Sequence, residues 1–268
     1  MLISRAVAAA LGILVGVARG DVGPPVLKVI TLNTKLGGES PWNPSEQIRV
    51  IGAERPDIVM LQEVVYLQFD QYRTGIGRAA GGRWSGRYAR HCEAGTPPRC
   101  DKYGAESVVV LTRFPMEAAD SQLIWARDTA WRARAVARIR LRLPGGVTVD
   151  AFSCHLPFGS ETAERSRWVA AFKRSTASLA RPEIVAGDFN DEPSSAPIVA
   201  MKAGYVDAWT MIGGARVGTE SSDDVTYSKR LDYIFSSGAL TAESATVLPA
   251  KISDHRAVVA TFRLNGRP

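Results

Sequence analysis

The sequence predicts an α/β fold in which helices cover sheets that pack face to face. Three features of its 268 residues lead there. Short apolar runs of strand length recur from Val26 almost to the C-terminus, turn signals join several of them as hairpins, and a few longer amphipathic stretches fall between. The composition is 46% hydrophobic and 22% charged, enough to bury one large core. No repeat, low-complexity tract or composition break marks a second domain, so the expectation is a single domain over residues 21–268 behind a leader of residues 1–20.

In that leader, Arg5 precedes the apolar run Ala6 to Val17, and Ala18-Arg19-Gly20 supplies the small residues a signal peptidase prefers. The run is shorter than the roughly 20 residues that span a bilayer. The reading is a cleaved signal peptide, with an uncleaved anchor or an aliphatic core helix as the alternatives. No cysteine follows the run, which argues against a lipoprotein, and no later segment is long and apolar enough to cross a membrane. Export to the periplasm or the extracellular space is the expectation. The formal net charge is +6, and loss of Arg5 and Arg19 leaves 31 basic against 27 acidic residues. Such a mildly basic surface favours anionic partners, nucleic acid or phospholipid headgroups, though weakly.

Val26 to Asn33 reads as the first strand. Asn43-Pro44-Ser45-Glu46 looks like a helix start, with a capping Asn, Pro in the first turn and Glu at the third position. Pro56 must end that helix. Ile58 to Val64 is a second buried strand that ends at a Gln-Glu pair. Residues 73–102, rich in Gly and Arg with Trp84 and Tyr88 interspersed, read as a loop. Regular structure resumes at Ser107 to Leu111. From Ala133 to Leu143 every odd position is apolar, while Arg134, Arg138, Arg140 and Arg142 take the other face; this is a half-buried strand with a solvent face of arginines. Pro144-Gly145-Gly146 turns the chain back into Val147 to His155. A helix from Glu161 to Leu179 places Trp168, Phe172 and Leu179 inward, and further strands are expected at 184–187, 231–235, 245–248 and 257–262.

In an oxidising compartment, Cys92 and Cys100, flanking a loop with Gly95, Pro97 and Pro98, suit a disulfide. The alternative, a metal site with His91, lacks a fourth ligand. Cys154, inside a strand, reads as a buried unpaired thiol rather than a nucleophile.

Polar clusters close five of the apolar runs: Asn33, Glu63 in Leu-Gln-Glu-Val, His155 in Cys-His-Leu, Gly187-Asp188-Phe189-Asn190, and the pair Leu231-Asp232-Tyr233 and Ser253-Asp254-His255. Any one of them could be ordinary turn chemistry, since Asn and Asp commonly end strands. Together they have the make-up of a phosphoester cleft. Several carboxylates with no compensating Lys need a cation between them, and oxygen ligands select a hard ion, Mg²⁺ or Mn²⁺. Two of the three histidines lie in these clusters, where imidazoles can donate to phosphoryl oxygens.

Asn33, Leu61-Gln62-Glu63, Cys154-His155-Leu156, Gly187-Asp188-Phe189-Asn190, Arg230-Leu231-Asp232-Tyr233 and Ser253-Asp254-His255 occur in the order found in the endonuclease/exonuclease/phosphatase superfamily, which the chain resembles from about residue 26 to 262. Leu111-Thr112-Arg113-Phe114-Pro115 resembles a structural signature of its exported bacterial members. The resemblance implies a four-layered α/β sandwich, two packed mixed or antiparallel sheets flanked by helices, with the site at one end of the sheets. By the same analogy Glu63 is the main metal ligand, with Asn33 beside it and Asp254 contributing. Asp188 resembles the general base, Asn190 positions water or a phosphate oxygen, and His255, oriented by Asp232, meets the scissile phosphate. His155 resembles a second phosphate-contacting histidine. Some members pair that histidine with a glutamate on a neighbouring strand, and Glu106 is the one nearby candidate here.

The motifs specify hydrolysis at phosphorus but not the leaving group. Arg73, Arg78, Arg83, Arg87, Arg90, Arg99 and Lys102 in the 73–102 stretch favour a nucleic acid substrate, with Arg87 and Arg90 as candidate contacts. The leading expectation is an exported Mg²⁺-dependent nuclease with no obligate protein partner. A phospholipid phosphodiesterase would need an apolar membrane-docking hairpin, and none is evident. A small-molecule phosphatase stays open. An inactive binding module would have lost a core residue, and none is lost.

Overall fold

The computed structural model describes residues 26–38, 41–91, 106–124, 134–159, 162–179, 182–212, 217–221 and 227–265. The leader with its expected signal peptide, and Cys92 and Cys100 with their expected disulfide, lie outside the described residues. In chain order the elements are β1 (Val26–Asn33), α1 (Lys35–Gly38), α2 (Pro44–Ala53), β2 (Ile58–Val65), α3 (Phe69–Ala80), β3 (Ser85–Arg90), β4 (Glu106–Thr112), β5 (Met116–Ile124), β6 (Arg134–Arg142) and β7 (Thr148–His155). There follow α4 (Thr162–Thr176), β8 (Glu183–Asp188), α5 (Ala196–Lys202), β9 (Val206–Asp207), α6 (Ala208–Ile212), β10 (Asp232–Ser237), β11 (Leu240–Val247) and β12 (Val258–Leu264). No helix among the described residues is long and apolar enough to cross a membrane.

The strands form two six-stranded sheets, ordered β11-β12-β1-β2-β4-β3 and β5-β6-β7-β8-β10-β9. Each has one parallel pair near its centre, β1 with β2 and β7 with β8, and antiparallel neighbours elsewhere. Side-chain alternation gives each sheet two apolar faces. Val29, Met60 and Val110 of the first sheet meet Ile139, Ala151 and Ile184 of the second in the central core. On its outer face the first sheet sets Ile30, Leu32 and Val59 against Ile51 of α2 and Tyr72 and Ile76 of α3. The second sheet sets Phe152, Val185 and Phe235 against Trp168 and Phe172 of α4 and Ile198 and Met201 of α5. The result is the four-layered sandwich.

Helix α2 starts as its sequence dictates, with the Asn43 side chain accepting from the Ser45 amide at 2.8 Å and Pro44 in the first turn. The loop expected over 73–102 is wrong over its described part: α3 and β3 occupy most of it. The glycines and arginines there conceal the continuation of a helical stripe that begins upstream, Phe69, Tyr72 and then Ile76, which packs on the first sheet. Glycine serves close packing as well: a Cβ on Gly52 of α2 would stand 2.3 Å from the Ala79 side chain of α3. Trp84 is buried and packs rather than stacks on a ligand. The arginine face of β6 differs from the expected solvent face too. Arg138 and Arg140 converge on Asp150 of β7, which is buried, at 2.8 and 2.6 Å. Cys154 is a free thiol in the core, and burial raises its pKa well above the usual value, as its reading as a non-nucleophile requires.

Gly187 shows how tightly the central parallel pair is built. Its φ is +149°, and a Cβ there would lie 1.9 Å from the carbonyl oxygen of Cys154 on β7. Gly187→Ala is expected to cost more than about 3 kcal/mol or to prevent folding, because backbone must move. Gly145→Ala, in a turn where a Cβ meets nothing within 4 Å, is expected to cost only about 1 kcal/mol. Denaturant unfolding of both variants measures the difference, and equal losses would contradict the packing argument.

Candidate active site

The central core runs out at one end of the sandwich. The parallel pairs register Asn33 beside Gln62 and His155 beside Asp188, and β10 brings Asp232 opposite Asp188. Asn33 shares its face with Val29, His155 with Ala151, Asp188 with Ile184 and Asp232 with Ile234, all members of the central core. These four polar side chains therefore continue the inner faces of both sheets and meet where the sheets end. Thr31, Gln62 and Ser153 form a floor beneath them. The Gln62 amide donates to Ser153 at 3.1 Å across the gap between sheets, and the Ser153 hydroxyl donates to the Leu61 carbonyl.

Strict alternation would turn Glu63 away, since Gln62 holds the inner position after Met60. A bulge in the β2–β4 pairing between Leu61 and Val64 prevents this, and Glu63 takes φ +57°. Its carboxylate accepts from Asn33 Nδ2 at 2.9 Å and from the Leu36 amide at 3.1 Å. Asn33 Nδ2 also donates to Asp188 at 3.1 Å, so one amide bridges two carboxylates from opposite sheets. The Asn190 amide donates to the other Asp188 oxygen at 2.8 Å, and the Asn190 side chain donates to the Leu156 carbonyl.

Both imidazoles face Asp188. Nε2 of His155 lies 3.4 Å and Nε2 of His255 lies 3.8 Å from Asp188 Oδ2, while His255 Nδ1 is 2.8 Å from Asp232. Burial opposes charge on His255, but Asp232 and Asp188 outweigh it and push its pKa up to about 10. Burial raises Asp188 to about 7 against the pull of His255. His155 goes the other way: burial, then the neighbouring Arg134 guanidinium and the His91 and His255 imidazoles, hold it well below the ordinary value. One imidazole is thus cationic and the other neutral.

Ligand atoms of Asp188, Asp232 and His255 lie within 4.8 Å of one another, close enough that the three could hold a metal ion. The hydrogen bond between His255 and Asp232 places a proton there, so we assign that trio to proton holding. A cation could instead be held at Glu63, whose carboxylate accepts from the uncharged amides of Asn33 and Leu36. Asn33 Oδ1 accepts from the Lys35 amide at 3.1 Å, so Asn33 could give an oxygen ligand only by releasing that amide and turning its side chain. Asp254 lies at the rim, ion-paired to Lys35 Nζ at 2.8 Å and accepting from the Ser253 hydroxyl. Lys35 corrects the expectation of carboxylates without a compensating Lys.

Arg87 and Arg90 do not converge on this site. Arg87 reaches Ser121 of the second sheet at 2.9 Å, and Arg90 lies over the Tyr66 ring, on the opposite face of the edge strand. The side chain of Glu106 lies outside the described residues. Sequence reasoning missed the residues that hold the loops. Gln47 of α2 donates to the Thr34 and Ile252 carbonyls and accepts from the Tyr72 hydroxyl, tying α1 to the Asp254–His255 loop. A polar residue one turn before Ile51 on the inward face was the available signal. Thr219 accepts the Leu231 and Asp232 amides at 3.0 and 3.1 Å and takes the Arg256 amide on its carbonyl. Nothing local in the sequence marks it.

A family model described as the endonuclease/exonuclease/phosphatase family matches residues 30–255. No curated protein matches the chain in sequence. Among solved structures, an endonuclease/exonuclease/phosphatase from Bacteroides vulgatus is 20% identical, covering 90% of this chain and 100% of its own, with a TM-score of 0.71. The human nocturnin catalytic domain, solved with a bound sulfate anion, is 22% identical over 90% of this chain and 94% of its own, TM-score 0.71. A mannosyl-6-phosphatase from Bacteroides thetaiotaomicron is 17% identical over 88% and 99%, TM-score 0.68. At these identities the likeness is one of fold.

The ionisation pattern is open to measurement. Asp232→Asn removes the negative charge on the Nδ1 side of His255, so the pKa of His255 is expected to fall from about 10 toward the ordinary histidine range. NMR titration of the imidazole in metal-free protein reads this, and an unchanged titration would refute the assignment.

Proposed function

The chain belongs to the endonuclease/exonuclease/phosphatase family, and from that premise we propose that it is an exported, divalent-metal-dependent phosphodiesterase with nucleic acid as its leading substrate. Family membership makes it a hydrolase of phosphoester bonds. The observation that carries the finer reading is the meeting of Glu63, Asp188 and Asp232 with two imidazoles at one end of the sandwich, bridged by Asn33.

In this reading Asp188 accepts the proton of the attacking water, and burial suits it by bringing its pKa close to neutrality. The Asn190 amide occupies one Asp188 oxygen and so directs the other toward the cleft. His255, held cationic by Asp232, offsets charge that develops on the phosphoryl oxygens, and neutral His155 donates a hydrogen bond to them. Glu63, joined by Asn33 Oδ1 once that oxygen releases the Lys35 amide, would hold Mg²⁺ or Mn²⁺, which would supply positive charge opposite the developing negative charge. Asp254 joins that set only by releasing Lys35.

With Arg87 and Arg90 directed elsewhere, support for nucleic acid comes from the excess of basic residues, 31 against 27 acidic once the leader is removed, and from the rim. Leu67, 85% exposed, follows β2, and Phe158, 64% exposed, follows β7; both strands end at the site. These side chains offer unpaired bases an apolar surface to stack or pack on.

The test is a panel of supercoiled DNA, single-stranded DNA, RNA, a phospholipid and a sugar phosphate, each with Mg²⁺ and with chelator. Nicking of DNA or RNA that chelator abolishes is expected, together with a loss of at least about 10³-fold in kcat for Asp188→Ala and for His155→Ala. Headgroup or phosphate release with intact nucleic acid would overturn the substrate assignment, and full turnover in chelator would overturn the metal. In a separate measurement, Glu63→Gln is expected to raise the Mg²⁺ concentration needed for half-maximal rate by about 10-fold or more, the scale of a lost carboxylate ligand.

A further inference from the structure

The third histidine is not a bystander. His91 follows directly on β3, and its ring meets that of His155 at 5.7 Å between centroids and 67° between planes. Its Nδ1 accepts the amide hydrogen of Ala135, the second residue of β6, at 2.9 Å. That bond joins the two sheets and fixes the His91 tautomer, because a nitrogen that accepts from an amide carries no proton. The hydrogen of neutral His91 is therefore on Nε2. Burial, then the Arg134 charge, keeps the ring neutral.

His91 Nε2 is buried and has no hydrogen-bond partner among the described residues, and the same holds for His155 Nδ1. A buried polar atom left unpaired loses its hydration without compensation, and here two such atoms lie in adjoining rings. Their chemistry is complementary. His155 directs Nε2 at Asp188 and the cleft, which is where its proton is needed, so its Nδ1 is a bare acceptor. His91 Nε2–H is a donor.

We propose that His91 is the positioning residue of His155, its Nε2–H satisfying His155 Nδ1 directly or through one bridging water and so locking His155 in the tautomer that donates from Nε2. Asp232 does the corresponding work for His255, but as a carboxylate that draws a full charge onto the ring. A neutral imidazole in that place orients without ionising. The two site histidines thereby differ in charge by construction: one donates a hydrogen bond, the other supplies a cation. The inference rests on His155 facing the phosphate, and it gives a role to the one histidine that the motifs leave out.

Two amide substitutions separate the nitrogens. His91→Asn keeps an acceptor for the Ala135 amide but removes the distal donor. His91→Gln keeps a distal N–H but removes the acceptor. His91→Phe keeps only the ring. The first readout is the nitrogen spectrum of the His155 imidazole in metal-free protein: wild type is expected to show Nδ1 unprotonated and Nε2 protonated. The second is turnover of the best substrate from the panel. His91→Phe and His91→Asn are expected to mix the His155 tautomers and to lower kcat by about 10–100-fold with KM little changed, while His91→Gln retains most of both signals. Thermal melts report folding of each variant.

A His155 protonated on Nδ1 in wild type would overturn the proposal. So would Asn retaining function where Gln loses it, which would mark His91 as a strut between sheets. Disturbance of the His155 tautomer by Glu106→Gln but not by His91→Phe would overturn it in favour of carboxylate pairing. If no substrate is turned over, the phosphodiesterase reading fails while the nitrogen spectrum still decides this one.

Discussion

Asp188 is a carboxylate buried at the junction of two sheets, and the site is organised around making that tolerable. An isolated buried carboxylate would take up a proton. Here it is held by the Asn33 amide from the opposite sheet, by the Asn190 amide from its own loop, and by the charge of His255. Each contact comes from a different stretch of chain, so the carboxylate exists in this form only if the whole sandwich is closed. The polar floor of Thr31, Gln62 and Ser153 extends the same logic one layer down, giving buried polar groups partners across the gap before the apolar core begins.

Backbone conformation is concentrated at the same point. Among the described residues, five non-glycine residues have positive φ, and Lys35, Leu36, Glu63 and Asn190 are four of them. The left-handed region is unfavourable for side-chain-bearing residues and persists only where surrounding contacts over-determine it. Glu63 needs it to return its carboxylate to the inner face. Asn190 needs it to turn its amide back onto Asp188 while its side chain reaches the Leu156 carbonyl. Side-chain positioning and backbone strain are thus two descriptions of one constraint.

The electrostatic asymmetry between the histidines has the same origin. His155 and His255 approach one carboxylate oxygen from neighbouring positions, yet one is pushed down and the other up. The difference lies in what faces the other side of each ring: a carboxylate behind His255, and arginine and imidazole neighbours around His155. Two cations pressed together would repel, and a neutral pair would leave Asp188 without an ion partner. One of each satisfies both demands.

Much of this was legible along the chain. Strand period, the Asn43 cap and the clusters at strand ends are local signals, carried by residues within a few positions of each other, so β1, α2, β2, β6, β7 and the residues Asn33, Glu63, His155, Asp188, Asp232 and His255 could be read directly. Where local composition misled, as in α3 and β3, glycines placed for close packing and arginines committed to ion pairs and ring contacts had the look of a loop. Only the tertiary structure decided which way Glu63 faces, that Lys35 pairs with Asp254, that Arg87 and Arg90 point away, and that Gln47, Thr219 and His91 support the site. Each of those outcomes is a contact between segments far apart in sequence or a bulge that resets side-chain alternation. Local residue type names the chemistry a position can perform; closure of two sheets over one another determines which positions perform it together.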